Sequence, residues 1–260
     1  SFGSDIVDII EFNDPATGSW KGGLHGKYYP GTGTGTGGSG LPPVYSAMVF
    51  NGNGKEIYQW SQEFRALFIM ESGDLTINNL IIDEFIATDN TGGFLNKQDF
   101  GGAIYNEGKL VINQSEISEN AAERGAGIYN SSTGDLKLID SQITGNNGPG
   151  LENWGTLVVY RSSVSNNDST GRAGGGLFNM AGATATITQS LISGNTTPSV
   201  GGGLINVGTL YIKDSTISGN TASSDGGGIV TSTTASTTVL KNVTLFNNTG
   251  RNGGGIFLDG

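Results

Sequence analysis

Glu152, Asp168 and Arg172 come nearest to a catalytic set in residue type and spacing. Two carboxylates can divide the acid and base steps of glycosidic-bond cleavage, and an arginine beside them can serve as the base of an elimination. The same residues also read as solvated turns. Asp168 and Arg172 lie in one loop, where a surface ion pair contributes little. Glu123-Arg124, Asp225 and Arg251 occupy similar loop positions, and their mixed signs favour the solvated reading. A second set is aromatic. Tyr105, Tyr129 and Phe178 can stack on sugar rings or pack against one another. His25 is the single histidine, which excludes a His-rich metal site, and the lack of Cys excludes thiol chemistry and disulfides. No metal and no cofactor is expected. The run from Gly31 to Gly38 fits a Gly-x-Gly-x-x-Gly pattern superficially, but it lacks the strand-turn-helix context of a nucleotide site and reads as a loop.

The elements that must position these residues are short strands. The stretch 201–220, GGGLINVGTLYIKDSTISGN, holds three alternating segments: Leu204-Ile205-Asn206, Leu210-Tyr211-Ile212 and Thr216-Ile217-Ser218. Each is too short for a helix and follows the strand period, with Gly, Asn, Asp and Ser at the breaks. The unit recurs. The apolar residue after the glycines falls at Ile104, Ile128, Leu151, Leu177, Leu204, Ile229 and Ile256, at steps of 24, 23, 26, 27, 25 and 27. A second register runs through Asn120, Asn146, Asn167, Asn195, Asn220 and Asn248. A third runs through Asn106, Asn130, Asn153, Asn179 and Asn206, and breaks at Thr231.

A period near 25 with three strands per unit predicts one solenoid coil per repeat. No coil can bury its own apolar face, so stacked coils must form a continuous column of Leu, Ile and Val. The rise per coil is then the inter-strand spacing, roughly 4.8 Å. The expectation is an all-β, three-sheet parallel β-helix with at least one internal Asn ladder, through Asn120 to Asn248. In that frame the position after the first apolar anchor forms a row of Tyr105, Tyr129, Glu152, Phe178, Ile205, Val230 and Phe257. It reads as cross-coil packing, as an exposed stripe for a glycan or a partner, or as a face covered by the N-terminal segment.

Gly-Gly-Ala-Ile-Tyr-Asn (101–106), Gly-Gly-Gly-Leu-Phe-Asn (174–179) and the recurring Ser-x-Ile-Ser-x-Asn resemble the repeats of bacterial right-handed parallel β-helix surface proteins. The polymorphic outer-membrane-protein and adhesin-type repeats are similar in pattern. The resemblance covers roughly 65–260 and implies an extracellular or cell-surface setting. Similar repeats occur in adhesins, structural proteins and polysaccharide-degrading enzymes, so the resemblance is specific for fold rather than for function.

Residues 1–60 lack the repeat and are expected to be an irregular cap or assembly segment with the first strands; 61–260 are expected to be the β-helix. Ile69, Leu75, Ile77 and Ile82 align with Ile104, Leu110, Ile112 and Ile117, which leaves a protruding insertion from Ala87 to Phe100. The net charge of −10 argues against nucleic acid, and no apolar run reaches membrane-span length. Starting at Ser1 fits a processed precursor. The last residues open a new coil without a cap, which points to self-association head to tail. The expected joint is strand addition between Ile6, Val7, Ile9, Ile10 and Phe12 of one molecule and Ile256, Phe257 and Leu258 of the next. The favoured reading is thus an extracellular structural or adhesive β-helix that forms filaments. The alternatives are a β-helix polysaccharide lyase or glycoside hydrolase using Asp168, Glu152 and Arg172, and a glycan-binding module using Tyr105, Tyr129 and Phe178.

Overall fold

The computed structural model describes residues 8–11, 21–24, 39–41, 43–59, 64–87, 99–232 and 236–259. Trp20, His25, the Gly31 to Gly38 run, Ile6, Val7, Phe12 and most of the Ala87 to Phe100 insertion lie outside the described residues. The chain is a parallel β-solenoid. Among the described residues every named element is a strand, and the strands pair in parallel with their equivalents one coil away.

Each coil carries three strand positions. In the coil of Ile104–Asn106, Lys109–Asn113 and Glu116–Ser118, these stack on Ile128–Asn130, Asp135–Ile139 and Gln142–Thr144 of the next. The first column is an eight-stranded sheet. The second and third columns join into one 14-stranded sheet, because Asp74–Asp83, Thr209–Ser218 and Thr237–Phe246 run unbroken through both. The expected three sheets are therefore three columns in two large sheets. Period-2 alternation sends Leu110, Ile112 and Ile117 inward, and their equivalents in neighbouring coils continue the column at 0–1% exposure. Burying each such side chain contributes roughly 1.5–3 kcal/mol.

One alignment needs correcting. Leu67, not Ile69, pairs with Ile104, and Ile69 stands opposite Asn106. The first coil has an apolar residue where later coils have Asn, and its Gly-poor entry hides a two-residue shift in register. Leu75, Ile77 and Ile82 do pair with Leu110, Ile112 and Ile117.

Two corners turn the chain at its second and third columns, and both use a left-handed residue followed by a buried polar one. At the first, Gln114, Asp140, Arg161, Gln189 and Asp214 have φ of 47–51°. The next residue is Ser115, Ser141, Ser162, Ser190 or Ser215. From Ser141 onward, each Oγ accepts the backbone N–H of its equivalent one coil back at 3.0–3.2 Å. At the second corner, the left-handed position holds Glu119, Gly145, Asn166, Gly194 or Gly219. It is followed by the expected ladder from Asn120 to Asn248, with amide-to-amide bonds of 2.8–3.0 Å. We call these the serine corner and the asparagine corner. A second Asn ladder, Asn106–Asn130–Asn153–Asn179–Asn206, closes the first column at 2.7–2.8 Å. Glycine is required where coils approach most closely. A Cβ on Gly203 would come within 2.5 Å of the Gly228 carbonyl.

The N-terminal strands continue the 14-stranded sheet, Asp8–Glu11 in its second column and Lys21–Leu24 in its third. Asp8–Glu11 pairs with residues 48–51, and Lys21–Leu24 with 56–59, of the strand Ala47–Gln59. That strand in turn pairs with Asp74–Asp83.

Candidate functional site

The outward row of the first column is enclosed rather than open. Its spacing explains the enclosure: the rise per coil matches a ring-stacking distance, so aromatic residues at equivalent positions meet face to face. Phe68 stacks on Tyr105 at 4.9 Å, Tyr105 on Tyr129 at 5.0 Å, and Phe100 on Tyr129 at 4.9 Å. Tyr105 and Tyr129 are 3% and 7% exposed, so their faces meet neighbouring rings and not solvent. Phe178 is half-buried, and beyond it the row turns aliphatic with Ile205 and Val230.

Two arginines lie over this stack. Arg65 sits 5.1 Å from the Tyr105 ring centre and is fully buried. Burial pulls its pKa down to about 10, which still leaves it charged at neutral pH. Arg124 lies 4.5 Å from the Phe100 ring centre and 5.0 Å from Trp154. Its Nε donates to Glu152 Oε1 at 2.9 Å, and its Nη2 also contacts that oxygen. Trp154 Nε1 donates to the same carboxylate at 2.9 Å. Burial opposes the charge of Arg124, but the hydrogen bonds and charge of Glu152 prevail and raise its pKa. Glu152 is fully buried, so this ion pair is the charge compensation its position demands. Arg124 is thus no solvated turn residue. A lone Glu in an otherwise apolar row is the sequence signal that a buried cation must reach it.

The three residues read as catalytic candidates each hold a different partner. Glu152 holds Arg124. Asp168 accepts a hydrogen bond from Thr196 Oγ1 at 2.7 Å. Arg172 lies 3.6 Å from Glu123, not paired to Asp168.

Among the described residues Thr237–Phe246 pairs with Thr209–Ser218 along one edge. Leu240, Val243 and Leu245 are partly buried where Ile212 and Ile217 of the coil below are at 0–1% exposure. Ile256 and Leu258 are 40% and 66% exposed. Of the residues expected at a joint between molecules, Ile9, Ile10 and 256–258 are described. Asp8–Glu11, with Ile9 and Ile10, lies in the second column, while Ile256–Asp259 lies in the first. Strand for strand, Asp8–Glu11 corresponds to Thr237–Phe246.

Residues 214–232 match the model of the Chlamydia polymorphic membrane protein repeat. The matched segment runs from the serine corner through Asn220 to the glycines and first strand of the next coil, so this chain is similar to that family over one repeat. No curated protein and no solved structure matches the chain. Among the described residues no helix is long and apolar enough to cross a membrane.

Proposed function

We propose that the chain is a rod-forming segment of an extracellular or cell-surface structural or adhesive protein, and that the rod lengthens by adding coils end to end. The stacking of equivalent strands coil on coil carries this reading, since each coil buries its apolar face only against a neighbour. The far edge of Thr237–Phe246 and half-exposed Leu240, Val243 and Leu245 form a template for one more coil. The likeness of residues 214–232 to a polymorphic membrane protein repeat supports an envelope setting. In solutions of the 260-residue chain a second copy supplies the coil, with Asp8–Glu11 of that copy added to the free edge of Thr237–Phe246. Both strands run in parallel ladders of the same column, so this joint extends the existing sheet. Such an interface is head to tail and builds filaments.

Light scattering over a concentration series and negative-stain microscopy test the proposal. Filaments with an axial repeat of roughly 40–45 Å, the length of about nine coils, are expected. Leu240→Lys together with Val243→Lys should leave only short rods. A wild-type chain that stays monomeric at every concentration, or filaments that survive the double substitution, would remove the end-to-end reading.

A further inference from the structure

The outside of the serine corner is concave. Two adjoining grooves of about 580 and 740 Å³ share Asp140 and Gln142, and together they span coils from Gly54 to Thr216. They are lined by the left-handed column itself, including Asn79, Gln114, Asp140, Arg161, Gln189 and Asp214.

Three observations give this groove a chemistry. The first is conformational. Positive φ is cheapest for Gly, tolerable for Asn and Asp, and strained for longer side chains. The asparagine corner uses Gly145, Gly194 and Gly219 beside Glu84, Glu119, Asn166 and Asn247, whereas from Asn79 onward the serine corner has no glycine and keeps Gln114, Arg161 and Gln189 beside Asn79, Asp140, Asp214 and Asn242. Strain held at repeated positions points to side chains that are used. The second is charge. Arg161 Nε donates to Asp140 Oδ1 at 2.7 Å, and Asp214 Oδ1 accepts from Asn242 at 2.8 Å. Lys213 lies 3.3 Å from Asp214, so Glu116 on the groove wall is left, among the described residues, without an ion pair, and the groove disfavours an anionic ligand. The third is the amides. Among the described residues the side chains of Gln114, Gln142 and Gln189 make no hydrogen bond and are exposed. Each offers donors and an acceptor to the groove; Gln114 and Gln189 share the corner position three coils apart, roughly 14 Å, and Gln142 stands in the third-column strand beside it. Leu191, 38% exposed, adds an apolar contact on the wall.

A ligand that suits these features is long, uncharged and rich in hydroxyl groups, and spans several coils. We infer that the serine corner is a binding groove for a neutral linear glycan lying along the solenoid axis. This site is separate from the enclosed aromatic row and from the end of the rod.

Isothermal titration calorimetry on the full chain tests it, with cellohexaose, chitohexaose, mannohexaose and, as the acidic comparator, hexagalacturonate. At least one neutral hexasaccharide should bind, and its trimer should bind at least tenfold more weakly because it spans fewer coils. Gln114→Gly with Gln189→Gly should weaken the hexasaccharide at least tenfold while the melting temperature holds or rises, since Gly suits both positions. Glu119→Gly, at the asparagine corner, should leave affinity unchanged. The inference is overturned if no neutral hexasaccharide binds, if hexagalacturonate alone binds, or if affinity survives the double glycine variant. An equal loss in Glu119→Gly also overturns it.

Discussion

At the serine corner a left-handed residue precedes a buried hydroxyl; at the asparagine corner it precedes a buried carboxamide. A hydroxyl donates once, and Ser162 gives its proton to the Tyr160 carbonyl at 2.8 Å while accepting the Ser141 N–H at 3.0 Å. A carboxamide does more. Asn167 donates to the Ile143 carbonyl at 3.2 Å and to Asn195 Oδ1 at 2.9 Å, and its oxygen accepts from Asn146 through both N–H and Nδ2. The richer inner ladder fixes the asparagine corner from within, and the position ahead of it relaxes to Gly in several coils. The serine corner holds fewer inner bonds but carries long polar side chains outside. Thus the same turn is used as a structural hinge on one edge of the coil and as a presenting edge on the other.

Breaking the inner ladders tests that contrast most severely. Asn167→Ala removes partners from four buried hydrogen bonds at once. It should destabilise the chain by about 3–5 kcal/mol, given roughly 1–3 kcal/mol for each buried group left unsatisfied. Ser162→Ala leaves the Ser141 N–H and the Tyr160 carbonyl without that partner. It should cost about 1–2 kcal/mol. Denaturant unfolding of both variants reads the difference. Equal losses would mean that the carboxamide ladder is no stronger than the hydroxyl one.

The two ladders also differ in how well the sequence discloses them. Asn recurs three residues after an apolar anchor, and a carboxamide buried in that rhythm can satisfy its donors and acceptor only against its equivalents in the adjacent coils. The Asn120 to Asn248 ladder is legible for that reason. Ser115, Ser141, Ser162, Ser190 and Ser215 stand in just as strict a rhythm. In a chain this rich in Ser and Thr, however, a buried hydroxyl does not stand out from a turn. The left-handed residues are hidden for a related reason: Gln and Arg give no local signal for positive φ, as Gly or Asn does. Arg124 escapes notice because the residues between Asn120 and Gly125 vary from coil to coil, so no register predicts where a loop side chain lands. The place of Asp8–Glu11 is illegible because strand pairing follows columns, and a sequence does not say to which column an unplaced strand belongs.

The first coil is where the asparagine corner is weakest, since Phe85 stands where the ladder residue should be. Phe85 N–H still reaches Asn120 Oδ1 at 2.9 Å, but Phe85 has no side-chain amide to carry the ladder further. Asp83 lies just ahead of it. Burial raises its pKa from 3.8 to about 6, against the Ser118 hydrogen bond, and Glu119, Glu84 and Glu56 add to the rise. A carboxyl whose folded value exceeds its unfolded value binds more protons in the folded state between the two. Stability is therefore expected to fall as pH rises from near 4 to near 6, by about 1 kcal/mol once solvent screening of this half-buried group is allowed for. Asp83→Asn should flatten that slope and raise the melting temperature at pH 7 by about 2–4 °C. An unchanged pH profile would place the weakness of the first coil elsewhere.

The smallest effect bears most directly on the comparison of corners. Exchanging the left-handed residues, Gln189→Gly at the serine corner and Gly194→Gln at the asparagine corner, changes one side chain at φ of 51° and 64° respectively. Neither backbone N–H bond at these corners involves the side chain, since Gln189 N donates to the Lys213 carbonyl and Gly194 N to the Ser218 carbonyl. Relief of strain should stabilise the first variant by about 0.5–1 kcal/mol, less the gain in unfolded-chain freedom that Gly brings. The reverse exchange should destabilise by a similar or larger amount, because a Cβ at Gly194 would lie 2.4 Å from Asn166 Oδ1. If both exchanges prove neutral, the serine corner bears no strain, and its long side chains need no functional role. If Gln189→Gly stabilises, that corner forgoes stability in its present form, and the reason for keeping glutamine must lie in what its side chain meets outside the solenoid.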